Sequence, residues 1–309
     1  MHHLLTRREM IKILGTAGLG IAGLPLLSIA MQESSMRTRP IPSTGEELPV
    51  VGLGTWIQFD VGTSEAERAP LRKVLQLMAE KGGKVIDSSP MYGNSEEVIG
   101  DLTTELGIAD RFFYATKVWT SGRERGIRQM QASMRKMRRD TIDLMQVHNL
   151  LDWKNHLETL KEWKRQGKVR YIGVTHHTAS SHSRLQDIVE SEDIDFVQFN
   201  YSIRERHAER GLLDAARENG VAVIINEPYE GGSLFRAVRG MEVPGWAADF
   251  DINSWGQFFL KFILSHPAVT CVIPGTSDPE HLVDNMGAGY GRLPDDAIRR
   301  KMVQFMEDL

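Results

Sequence analysis

Residues 85–100 read VIDSSPMYGNSEEVIG. Val85 and Ile86 are a short apolar run that stops at an acid, Asp87. Small residues then turn the chain, Tyr92 closes the turn, and an amphipathic segment starts at Glu96. This is the order of a buried strand, a loop and a helix. The same unit recurs along the chain. Further strand candidates are VVGLGTW, FFYATKV, TIDLMQVH, VRYIGVT, DFVQFNYS, VAVIIN and VTCVIPG. Amphipathic segments lie between them, at 65–81, 96–106, 123–138, 154–166, 207–219 and 278–286. Eight strand–helix units over about 240 residues predict a single-domain α/β fold, a closed (β/α)8 TIM barrel over 47–309. A doubly wound open sheet uses the same alternation, but its G-x-G-x-x-G turn is missing. VGLGTW runs into Trp56 rather than into a helix. Residues 236–253 are irregular and predict a loop over one face, with Trp246 and Phe250 as candidates to close a pocket.

The 309 residues are 41% hydrophobic and 25% charged, with a net charge of -4 and both signs interspersed. That is the composition of a globular enzyme or binding protein, and no basic stripe points to nucleic acid. The single cysteine, Cys271, excludes an intramolecular disulfide and a cysteine-rich metal site. No histidine group has metal-ligand spacing, the His176–His177 pair included. A monomer is expected.

The N-terminus differs from the rest. Arg7, Arg8 and Lys12 precede a charge-free run from Ile13 to Ala30 that ends in small residues. This resembles a twin-arginine (Tat) signal peptide over residues 1–30. It implies the twin-arginine export machinery as a partner and a periplasmic or exported protein without stable membrane insertion after cleavage. A membrane anchor or an uncleaved cytoplasmic arm are the alternatives, although glycine dilutes the leucines that a span needs. Residues 31–46 are polar, contain two prolines and read as a linker.

Barrel enzymes draw catalytic groups from the C-terminal ends of their strands. Here those ends carry Trp56, Asp87, Lys117, His148, Thr175 with His176, Gln198, Asn226 with Glu227, and Gly275 with Thr276. Taken singly, Asp87 reads as a helix cap, Tyr92 as a turn aromatic and His148 as a core histidine. Lys117 is harder to explain that way, because an internal strand seldom ends on an unpaired lysine.

GLGTW, VIDSSPMYGNSEEVIG, ATKVW, QVHN, YIGVT, VQFNYS and VIPGTSDPEHLVDN, in this order, resemble the aldo-keto reductases over nearly all of 48–309. The resemblance implies a catalytic tetrad of Asp87, Tyr92, Lys117 and His148, and NAD(P)H-dependent reduction of a small carbonyl substrate. The chemistry of the residues agrees. Carbonyl reduction needs a hydride on carbon and a proton on oxygen, and no side chain stores a hydride. Tyr92 can supply the proton, with Lys117 expected to lower its pKa, Asp87 to keep Lys117 charged, and His148 to direct the oxygen.

The resemblance also implies cofactor contacts from Gly54, Thr55, Thr175, His176 and Gln198, and from Asn226 where the family stacks a tyrosine on nicotinamide. Tyr229 is the candidate substitute for that tyrosine. At the adenosine end it implies Gly275, Thr276, His281, Asp284 and Asn285. Relatives place cations at the positions of Gly275 and His281, so NADP(H) is expected from the family, with NAD(H) as the alternative. The helix N-terminus after Thr276 is a candidate anion site. Trp56 and Trp119 are candidates for the substrate pocket. Two other readings compete. One is a non-catalytic nicotinamide-binding sensor or regulatory barrel; the other is a glycoside hydrolase using Glu227 and Asp87, suggested by Asn226–Pro228, which read NEP.

Overall fold

The computed structural model describes residues 35–309. The proposed signal segment, 1–30, lies outside the described residues. Two short strands, β1 (Thr38–Pro40) and β2 (Glu47–Pro49), pair antiparallel. Part of the stretch that composition reads as a linker is therefore a hairpin. Its apolar residues, Ile41 and Leu48, are fully buried. They pack with Val85, Phe113, Leu144, Tyr171 and Phe196 to seal the bottom of the barrel.

Eight parallel strands follow: β3 (Leu53–Gly54), β4 (Val85–Asp87), β5 (Phe113–Val118), β6 (Ile142–His148), β7 (Val169–Thr175), β8 (Phe196–Asn200), β9 (Ala222–Asn226) and β10 (Cys271–Val272). They are hydrogen-bonded in sequence order. The bridges Val51–Val272 and Gly54–Gly275 join the first strand to the last. That seam needs glycine, since a Cβ on Gly54 would stand 2.8 Å from the carbonyl oxygen of Ile273.

Side chains alternate between two faces along each strand. On β5, Tyr114, Thr116 and Val118 point out to the helices, whereas Phe113, Ala115 and Lys117 point inward. The two faces serve two cores. One lies between strands and helices, and a smaller one fills the barrel from β4 to β10. Above the apolar floor, the inward positions turn polar: Asp87, Lys117, Gln146 and Gln198 are all buried. Strand register puts Lys117 beside Gln146, His148 beside Thr175 and Thr175 beside Gln198.

The segment 236–253 does not form the expected pocket cover. It contains a 3-10 helix, Gly245–Phe250, packed over the helix Trp255–Leu264. The Trp246 ring lies 5.9 Å from Phe258 and beneath Lys301, while Phe250 stacks under Arg292. Residues Gly256 to Leu264 are all buried, so that helix needs cover on every face, and the loop aromatics supply it.

Candidate active site

Asp87 ends β4 and Lys117 lies one residue from the end of β5, both pointing inward and both buried. Lys117 Nζ donates to Asp87 Oδ2 at 2.5 Å and to the Ser88 carbonyl at 2.7 Å. The other carboxylate oxygen, Oδ1, accepts from Gln198 Nε2 at 2.9 Å and Gln146 Nε2 at 3.3 Å. A buried ion pair persists only when its remaining lone pairs are satisfied, and the two amides do this. The Lys117 ammonium lies 5.1 Å from the centre of the Tyr92 ring. Tyr92 meets His148 edge to face at 5.8 Å. The four implied catalytic residues therefore converge on one place.

Two loops hold Tyr92 there. Thr55 donates from both its amide and its hydroxyl to the Asp87 carbonyl, tying the loop after β3 to the end of β4. Further along that loop, Asp60 accepts from the amide of Asn94 at 2.9 Å. Gly93, at φ +57°, lets this contact form, because a Cβ there would stand 2.1 Å from the Asp60 carboxylate. Ile57 takes a left-handed conformation in the same loop (φ 63°), a strained one for a β-branched residue.

Electrostatics divides the roles. Burial would lower the pKa of Lys117, but Asp87 and Tyr92 outweigh it and raise the pKa, so the ammonium stays charged. Burial raises the Tyr92 hydroxyl above its ordinary value of 10, with Lys117 opposing and Asp87 adding to the rise. Lys117 acts in the expected direction, lowering the Tyr92 pKa, but desolvation wins and the resting group is a neutral phenol. Burial, with Lys117 second, lowers the His148 pKa to about 2, so the imidazole is neutral.

With Lys117 and Tyr92 raised above their ordinary values and His148 lowered to about 2, kcat for reduction should stay level from about pH 5 to about pH 9. A step near pH 6.5 in the rate profile would contradict the neutral His148. Stability should behave differently. A histidine with a depressed folded pKa contributes fully above its unfolded value of 6.5. That contribution is lost as pH falls from there toward 2, by up to about 1.4 kcal/mol per pH unit. Urea unfolding at pH 7 and pH 5 measures it.

The groups open onto a cavity of about 830 Å³. Of the residues singled out in the sequence, Gly54, Thr55, Trp56, Asp87, Tyr92, His148, Thr175, Gln198, Asn226, Glu227, Tyr229 and Gly275 line it. Trp119 stands at the rim, 6.4 Å from the His148 ring and 40% exposed. His177, rather than His176, reaches the wall; His176 turns to Thr178. Thr276, His281, Asp284 and Asn285 are not part of the lining. Asp284 accepts from Ser254 and Gln257, and Asn285 accepts from Tyr229 Oη at 2.6 Å. Tyr229 is thereby tied to the helix Pro279–Gly287. That helix offers no free N-terminus, because Asp278 already accepts from the amides of Glu280 and His281. The anion site expected there is occupied by a carboxylate of the chain itself.

The Gln198 amide is engaged within the protein, donating to Asp87 and accepting from Thr175 and Asn226. Asn226 Oδ1 is buried without a hydrogen-bond partner. A carboxamide bound in the cavity could donate to it, so the wall suits a nicotinamide at this end. Sequence reasoning missed Gln146, Ser89 and Asp60. Gln146 follows the inward alternation of β6 and was findable from that signal, whereas the other two are set by loop geometry.

The aldo/keto reductase family model matches residues 50–301, and the chain belongs to that family. Among similar proteins is the NADH-specific methylglyoxal reductase of Escherichia coli, 28% identical over 88% of this chain and 100% of that protein. Aldo-keto reductase YhdN of Bacillus subtilis is 27% identical; the match covers 66% of this chain and 63% of YhdN, so the chain spans less than two thirds of that relative. The solved structure of an aldo/keto reductase from Klebsiella pneumoniae in complex with NADP and acetate superposes with a TM-score of 0.72. It is 24% identical, over 85% of this chain and 93% of that one.

Proposed function

We propose that this chain reduces an aldehyde or ketone to an alcohol with NADP(H) or NAD(H). One observation carries the reading: a neutral, half-buried phenol stands against a charged lysine–aspartate pair on the wall of an open cavity. When bound, the nicotinamide supplies the hydride. Asn226, Thr175 and Gln198 are the side chains that would hold its carboxamide end, and Gly275 and Gly54 lie on the same wall. His148 and Tyr92 orient the carbonyl oxygen. As negative charge develops on that oxygen, Tyr92 passes its proton to it, and the Lys117 charge stabilises the phenolate left behind. Asp87 keeps Lys117 charged and fixed.

The hydrolase alternative loses its second acid, because both Asp87 oxygens are bonded to Lys117, Gln146 and Gln198. A sensor barrel would not require a tuned proton donor. Oxidation of NADPH and NADH, followed by absorbance over a panel of small and aromatic aldehydes, tests the reading. Tight dinucleotide binding with no turnover of any carbonyl would favour the sensor.

No lysine or arginine stands at Gly275 or His281, and the Asp278 carboxylate caps the neighbouring helix. We therefore expect the two dinucleotides to bind within about tenfold of each other, one 1.4 kcal/mol step. Fluorescence titration measures this, and a much larger preference for NADPH would require a cation elsewhere. The relatives fit either outcome, since one is named NADH-specific and another was solved with NADP.

We also propose export through the twin-arginine route, supported by Arg7, Arg8 and the charge-free run to Ala30. Sequencing the mature N-terminus from fractionated cells tests it. An intact Met1 in the cytosolic fraction would end the proposal.

A further inference from the structure

Ser89 follows β4 by two residues and lies behind the cavity wall. Its hydroxyl oxygen stands 2.9 Å from Nδ1 of His148 and accepts from the backbone amide of Met91 at 3.3 Å. Both side chains are buried, Ser89 completely. The Met91 amide can only donate. Among the described residues, the Ser89 proton therefore has one acceptor, Nδ1 of His148.

The neutral His148 ring carries a single N–H. If that proton sat on Nδ1, it would point at Ser89, and the hydroxyl proton would be buried without an acceptor. An unmade buried hydrogen bond is penalised more heavily than a made one is rewarded. With the proton on Nε2 every group is satisfied: Ser89 donates to Nδ1, and Nε2–H remains available. Nε2 has no partner among the described residues, and the ring lines the cavity.

We propose that Ser89 is a positioning residue that fixes His148 as its Nε2–H tautomer, making the imidazole a hydrogen-bond donor to the substrate oxygen beside Tyr92. This rests on the carbonyl-reduction reading above. Two donors then converge on one oxygen. Tyr92 gives up its proton during reduction, whereas the neutral His148 keeps its own and holds the developing alkoxide in place.

The test begins with 15N-labelled histidine in the wild-type protein. Long-range 15N–1H correlation reads the tautomer of each ring, and the His148 signals are assigned by their absence in His148→Asn. A neutral Nε2–H pattern is expected; an Nδ1–H pattern would overturn the assignment whatever the activity. In Ser89→Ala the Nδ1–H form should become detectable, and kcat should fall about fivefold, the worth of one net hydrogen bond. The dinucleotide Kd should not change. A Ser89→Ala protein with an unaltered tautomer and wild-type kcat would remove Ser89 from the mechanism. Because the tautomer is read in the resting protein, a failure to find any carbonyl substrate counts against the functional reading and not against Ser89.

Discussion

Replacing Tyr92 with phenylalanine is expected to lower kcat for carbonyl reduction by about 10³-fold, within the range that a positioned proton donor contributes. The ring should keep its place. It packs edge to face on His148 at 5.8 Å, and its loop is held by Asp60 and Thr55, none of which involves the hydroxyl. Binding of dinucleotide should therefore stay close to wild type, and the loss should fall on kcat. Alcohol oxidation in the wild type gives a complementary measurement. That direction needs the phenolate, and burial raises the Tyr92 pKa above 10, so the oxidation rate should climb with pH while reduction stays level. A Tyr92→Phe enzyme with undiminished turnover would transfer the acid role to another group and remove the basis of the proposed mechanism.

Lys117→Met should have the second large effect, and on two properties together. The variant leaves the Asp87 carboxylate buried without its cation, with only the Gln146 and Gln198 amides to hold it. Removing one partner of a buried ion pair typically destabilises by about 3–5 kcal/mol. Activity should fall as well, because the phenolate formed at Tyr92 loses the charge 5.1 Å from its ring. The double variant Lys117→Met/Asp87→Asn separates the two effects. It removes the orphaned charge, so urea unfolding should show most of the stability restored while activity remains lost. A single variant as stable as wild type would mean that Asp87 had found another cation or become protonated at no expense.

Much of this site can be read in the sequence because strand ends in a parallel barrel share one face of the molecule. Asp87, Lys117 and His148 lie at or beside the ends of successive strands, so the alternation of strands and helices was enough to bring them together. The same alternation places Gln146 inward, two residues before His148. The cofactor's far end was less accessible. Asp284 and Asn285 occupy the implied positions, yet their side chains bond to Ser254, Gln257 and Tyr229. Which partner a polar side chain takes depends on neighbouring elements, and residue identity does not state it. The 236–253 segment illustrates the same point: Trp246 covers the helix Trp255–Leu264, whose burial on all sides is a property of the assembled fold.

The order of residues by itself determined the barrel and brought Asp87, Lys117 and His148 to one end of it, whereas Tyr92, in a loop, was assigned by the family resemblance. The barrel and its three strand-end groups follow from the alternation of strands and helices and from connections that return every strand in the same direction. Only the tertiary structure decided the balance of forces on those groups. Burial outweighs Lys117 at Tyr92 and raises its pKa, whereas at Lys117 burial is the largest single influence but Asp87 and Tyr92 together outweigh it. Likewise, Ser89 and His148 are 59 residues apart in the chain and 2.9 Å apart in space. Desolvation and hydrogen bonding depend on distances between atoms from different strands and loops, and folding alone sets those distances.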